Sequence, residues 1–286
     1  EGHLGVTALC GMAFLAGGHL PDRGEHREVV CRAQDFLLRH ALENGLLTSA
    51  GTRMYSHAFA TLFLAELHGM GDDERVKATL ERAVNLIVDC QNQHGGWRYN
   101  PFDRETDLSV TVCQLQALRA ARNIGIRVPP ETIDRAVAYV QRSRVERGYT
   151  AGLFYYKIYG RGAYEKDAEY AINAAGLTAL SSAGIHDEAR NAPVLDFLER
   201  SYPRLARGYS THFYYWYGNY YAAQAFYQEG GTRLRGFFGR LSRDLLAAQE
   251  PDGRWRNSVG PGDEMATAVA CLLLQMPKQY LPIFQR

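Results

Sequence analysis

The chain has 286 residues, with 32 Lys and Arg against 31 Asp and Glu, for a formal net charge of +1. That balance offers no basic surface for nucleic acid, and no run of about 18 apolar residues is present to span a membrane. The five cysteines, Cys10, Cys31, Cys90, Cys113 and Cys271, are odd in number and far apart, which argues against a disulfide scaffold or a C-x-x-C zinc site.

The sequence opens EGHLGVT, with no Met and no signal-like apolar leader, and reads as trimmed at its N-terminus. A first segment, 5–16 (GVTALCGMAFLA), is small-residue-rich and apolar almost all round. It is followed by EVVCRAQDFLLRHAL (28–42), which carries charge on one face. The two types then alternate. Apolar segments recur at 56–67, 108–121, 170–183, 220–228 and 265–276. Amphipathic partners lie at 77–90, 131–143, 188–201 and 232–248. A helix apolar on every side belongs in an interior, and one with a charged face lies outside it. The expectation is six inner and five outer helices. A sixth outer helix is expected upstream of Glu1. The run LFYYKIYG (153–160) is the one ambiguous stretch, read as a loop or short hairpin. The unpaired thiols lean weakly toward a cytoplasmic location.

Two outer segments end in the same signature, Gln, three residues, Gly, one residue, Trp: Gln91, Gly95, Trp97 and Gln249, Gly253, Trp255. Looser copies end near Gly45, Gly148 and Gly208, as in a helix-pair repeat. This signature resembles the repeat shared by squalene–hopene cyclases and protein prenyltransferase β-subunits. The segment DLSVTVCQLQALRAARNIGIRVPPE and the tail YLPIFQR resemble bacterial prenyltransferase/squalene-oxidase repeat proteins. The resemblance implies an all-α (α/α)6 toroid over 1–286, a single domain with inner helices around a central cavity.

The chemistry of those families does not follow. The Asp-x-Asp-Asp acid of the cyclases is absent, and Asp72-Asp73-Glu74 reads as a solvated helix cap. The Asp-x-Cys zinc motif of the prenyltransferases is absent too: Asp89 and Cys90 are adjacent, and Asp107 and Cys113 fall on different helix faces. Cys-Gly-Glu-Gln, the thioester motif of complement toroids, is also missing. No metal and no cofactor is expected.

What remains is the cavity mouth, where the inner-helix N-termini gather. The catalytic candidates are Asp107, His57 and Asp263. The ligand-binding candidates are Tyr214, Trp216, Tyr217, Tyr221, His212, Asn173 and Glu264. Asp107 and Asp263 also read as helix N-caps, and His57 as a satisfied core histidine. Seven aromatic residues crowd Phe213 to Tyr221, and fourteen of the eighteen tyrosines fall between Tyr149 and Tyr227. Each buried phenol needs a partner, so the concentration suggests a wall with apolar faces and polar tips. Helical spacing puts Tyr214, Tyr217 and Tyr221 on one stripe facing the axis. Three functions compete. The first is an isoprenoid-like or lipid-like ligand held in the cavity. The second is a non-catalytic scaffold for a protein partner. The third is a carbohydrate-active toroid, for which Asp107 and Asp263 would have to lie about 5–10 Å apart.

Overall fold

A computed structural model describes residues 2–284. The helices are α1 (Leu4–Ala16), α2 (Arg27–Arg39), α3 (Met54–Met70), α4 (Glu74–Asp89), α5 (Leu108–Asn123) and α6 (Pro130–Arg142). They continue as α7 (Tyr170–Ser182), α8 (Glu188–Arg207), α9 (Tyr215–Glu229), α10 (Gly231–Ala248) and α11 (Asp263–Gln275). Among the described residues the only extended pairing is a set of isolated bridges. Two of these, Arg144 with Phe154 and Lys157 with Glu165, pin the ambiguous run from within, and the run is otherwise a loop.

The odd-numbered helices form a closed ring. Each touches the next, from α1 through α3, α5, α7 and α9 to α11, and α11 returns to α1. This is the (α/α)6 toroid. The division into layers follows from composition. In α5 all but one residue from Leu108 to Ala121 is buried, because the helix is enclosed by ring neighbours, outer helices and the axis. In α6 only Thr132, Ile133, Ala136, Tyr139 and Val140 are buried, a single face. The outer helices α4, α6, α8 and α10 each bridge two ring members, and α2 packs on α1. The seam between α11 and α1 carries no such helix among the described residues. The sixth outer helix expected upstream of Glu1, and the last two residues of the YLPIFQR tail, fall outside them.

The repeated signature has one mechanical role at both sites. The Gln91 side-chain amide donates to the Gly95 carbonyl at 2.9 Å, and Gln249 does the same to Gly253 at 2.9 Å. The Trp97 indole N–H donates to Ile87 O at 2.8 Å, and Trp255 to Leu245 O at 2.7 Å. Each tryptophan backbone N–H then donates to a threonine in the next inner helix, Thr111 or Thr267, at 3.1 Å. One ring thus locks the end of an outer helix to the start of the following inner one. Gly95 is irreplaceable on two counts: its φ is +89°, and a Cβ there would lie 2.4 Å from the Arg135 carbonyl oxygen.

Candidate functional site

The inner helices run in the same direction, so their first turns and the loops before them converge at one end of the ring. There they enclose a cavity of about 700 Å³. All six contribute: Val6 and Leu9 from α1, Tyr55 and Phe59 from α3, Ser109 from α5, Ile172 from α7, Tyr217 from α9 and Met265 from α11. The rim comes from loops and brings Tyr99, Tyr156, Lys166, Glu169, Phe213 and Tyr214. The deeper wall is aliphatic and aromatic, and the polar atoms sit near the mouth.

A hydrogen-bond network fixes one side. Asp107 caps α5, accepting from the Val110 N–H at 2.9 Å. The same carboxylate accepts from Ser109 Oγ at 2.7 Å and from Arg98 Nη1 at 3.1 Å. Tyr55 donates to Ser109 Oγ, and the Tyr217 phenol donates to the Ser109 carbonyl at 3.0 Å. The phenols of Tyr99 and Tyr156 meet at 2.6 Å, and the Arg98 guanidinium lies over the Tyr99 ring at 4.7 Å. Burial raises the Asp107 carboxyl, and the Val110 N–H, Ser109, Arg98 and Tyr156 offset part of that rise. The Val110 N–H, Ser109 and the Arg98 guanidinium all donate to its oxygens, the arrangement that suits an ionised carboxylate. Burial lifts the phenols of Tyr55 and Tyr217 well above the usual 10, so both keep their protons.

The expected residues are distributed unevenly around this cavity. Tyr214 and Tyr217 border it. Tyr221 does not. It is fully buried one turn deeper, with its phenol 3.1 Å from the Cys113 sulfur. Trp216 lies behind the wall, edge-on to Tyr209 and Tyr215. His212 is exposed outside the lining, its Nδ1 accepting from the Tyr214 N–H at 3.2 Å. Asn173 is buried and structural: it accepts from the Phe154 N–H and donates to the carbonyls of Asp167 and Glu169. Its effect on the cavity is to hold the backbone of Glu169 at the rim.

Asp107 is close to the cavity but screened from it by Ser109. His57 is away from the mouth, fully buried in the core. Leu47 N–H donates to its Nδ1 at 3.1 Å and its Nε2 donates to Ala83 O at 3.2 Å, and burial lowers its pKa to about 4. Both ring nitrogens are committed, so it is a neutral core histidine. Asp263 and Glu264 also miss the cavity. They open onto a separate hollow of about 640 Å³ on the α1–α11 seam, with Cys10 and Cys271. The cap of α11 is Gly262, and Asp263 is the first helical residue, accepting from the Asn257 N–H at 2.6 Å. One residue of phase turns Met265 rather than Asp263 toward the axis, so Asp107 and Asp263 do not share a cavity. Tyr55, Tyr99, Tyr156, Ser109 and Lys166 are wall residues that sequence reasoning missed. Tyr156 was signalled by the alternating aromatics of 153–160, and Tyr55 and Ser109 by their places in the first turns of inner helices. Among the described residues no group of three or more His, Cys, Asp or Glu side chains converges to hold a metal.

No protein-family model matches the sequence, and no curated protein does. Solved structures do resemble the fold. An alpha-amylase from Clostridium perfringens superposes with a TM-score of 0.67 at 10% identity, over 95% of this chain and 86% of that one. A cellobiose 2-epimerase from Spirochaeta thermophila gives 0.65 at 15%, over 95% and 84%. The type II terpene cyclase MstE from Scytonema gives 0.52 at 18%, over 86% and 73%. At these identities the likeness is one of fold.

Proposed function

We infer that the protein is a carbohydrate-active toroid that holds a sugar ring in the axial cavity. The observation that carries this reading is the wall itself: Tyr55, Tyr99, Tyr156, Tyr214 and Tyr217 border one cavity, and hydrogen bonds anchor four of their phenols. Ring faces suit the apolar face of a pyranose, and anchored phenols suit its hydroxyls. The volume of about 700 Å³ falls within the range of small-molecule sites. Toroids named as an amylase and an epimerase of sugars add support at the level of the fold. For chemistry, Glu169 is the one carboxylate bordering the cavity among the described residues. It is the group placed to exchange a proton with a bound hydroxyl. A two-carboxylate glycosidase arrangement is not assembled, because Asp107 lies behind Ser109.

A second reading rests on a different part of the same cavity. Its deep wall of Val6, Leu9, Phe59, Ile172 and Met265 is apolar and suits an isoprenoid or lipid-like tail, as the squalene-cyclase-like repeat implies. Calorimetric titration with cellobiose, maltose, α-1,6-mannobiose and farnesol separates the two. The expected result is binding of at least one sugar, at least ten-fold weaker in Tyr217→Ala. Binding of farnesol alone favours the second reading. No binding by any of them retires the pocket and leaves a scaffold.

A further inference from the structure

The hydrogen-bond directions on the α3–α5–α9 side of the cavity carry a specificity that the ring count does not. Ser109 has a single hydroxyl proton. A carboxylate only accepts, so that proton goes to Asp107 Oδ1, 2.7 Å away. Ser109 Oγ therefore has none left for Tyr55, and the short contact between them is Tyr55 donating. The Tyr217 phenol faces a carbonyl oxygen, Ser109 O at 3.0 Å, and must donate as well. Its other polar neighbour is the Cys113 sulfur at 4.0 Å. The two rings meet edge to face with centroids 6.2 Å apart. Both phenols thus turn their protons into the protein, and lone pairs are what their oxygens have left to offer a ligand in the cavity both residues border. At the rim Tyr99 and Tyr156 share one contact, and the Tyr156 phenol also interacts with the Asp107 carboxylate.

We propose that Asp107, acting through Ser109, polarises this wall into a hydrogen-bond acceptor surface, so that Tyr55 and Tyr217 select ligand groups that donate: hydroxyls in preference to ethers, ketones or hydrocarbon. Asp107 and Ser109 are positioning residues here, and Tyr55 and Tyr217 make the contacts. The inference rests on the reading of the cavity as a site for a hydroxyl-bearing ligand and narrows it to a donor-bearing one. It also explains the cost of burying a carboxylate behind a wall it does not line: without that sink, Ser109 would be free to donate to Tyr55, and the phenol proton would swing into the cavity.

The test uses a matched pair of small probes, phenol and anisole, which differ by the donated proton and not by the ring. The affinity of the whole protein for each is measured by chemical-shift titration. One hydrogen bond is worth about 3- to 10-fold in affinity. Phenol should bind tighter than anisole by about that factor. Tyr55→Phe, which removes one acceptor, should reduce the preference. Ser109→Ala, which frees the Tyr55 proton, should reduce it further and improve anisole binding. A purely structural role for Ser109 would not change the ratio between the two probes. Equal affinities in the parent, a preference for anisole, or no binding of phenol overturns the inference. A phenol preference together with failure of every sugar keeps the acceptor wall and rejects the carbohydrate reading. Sugar binding without a phenol preference does the reverse.

Discussion

Among the described residues two carboxylates are buried in the inner ring, and they differ. Asp107, at the mouth, accepts from Val110, Ser109 and Arg98. Glu66 lies eleven residues, about three turns, beyond Tyr55 along α3. It receives a hydrogen bond from the Ile283 backbone, and its Oε2 has no partner among the described residues. Burial raises its pKa to about 8 from an ordinary 4.5, so it is a neutral acid at pH 7. Burial penalises the charged form in both places, and the number of donors decides whether that penalty is met. The mouth of the toroid is built to keep a charge, whereas the interior further down α3 is built to extinguish one.

The comparison predicts a graded set of effects. Asp107→Ala should be the most damaging, at about 3–5 kcal/mol in denaturant titration, because it leaves the first turn of α5 without its cap and the Arg98 guanidinium with only Glu105, 3.5 Å from Nε. Arg98→Met removes one charged hydrogen bond from a side chain that is 20% exposed, and should cost about 2 kcal/mol. If Asp107→Ala proves no worse than Arg98→Met, the carboxylate is not the hub of the network. Glu66→Gln replaces a neutral acid by a neutral amide and should stay within about 1 kcal/mol at pH 6. A loss like that of Asp107→Ala would mean Glu66 is charged after all.

The pH profile sharpens the same contrast. Glu66 has a raised pKa in the fold, so the folded state holds the proton that the unfolded state has lost between pH 4.5 and about 8. Its contribution is full below that window and declines as pH rises through it. His57 has the opposite sign. Its folded pKa is down near 4 against an ordinary 6.5, so its contribution is complete above pH 6.5 and is lost as pH falls toward 4. Thermal melts across pH 4–9 should therefore decline on both sides, and Glu66→Gln should flatten the alkaline limb alone. An unchanged alkaline limb would assign it to other groups.

The layer assignment was legible because burial on all sides leaves a compositional mark that local sequence carries. GVTALCGMAFLA and KATLERAVNLIVDC cannot exchange roles without exposing one apolar surface or burying charges. The turns were legible too, since Gln91, Gly95 and Trp97 act within a few residues of one another and on the two adjoining helices. The site was legible only in part. Tyr217 could be placed because helix phase and the ring geometry both point it inward. Tyr221, on the same stripe, is taken up by Cys113 from α5, which no local pattern reports. His57 illustrates the same limit: its two partners, Leu47 and Ala83, come from a loop and an outer helix. Asp263 failed by a single residue of helix phase, below the precision with which helix ends are read from sequence.

By itself, then, the sequence determined the alternation of inner and outer helices, the places where the chain turns, and the concentration of tyrosine in the second half. These depend on periodicity and on interactions a few residues long. Tertiary structure alone decided that Glu66 is buried with few donors, which phenols line the cavity and which way their protons point. Each of those depends on groups that meet only in the folded molecule: Tyr55 from α3 and Tyr217 from α9 reach Ser109 on α5, and Glu66 finds little besides Ile283 among the described residues.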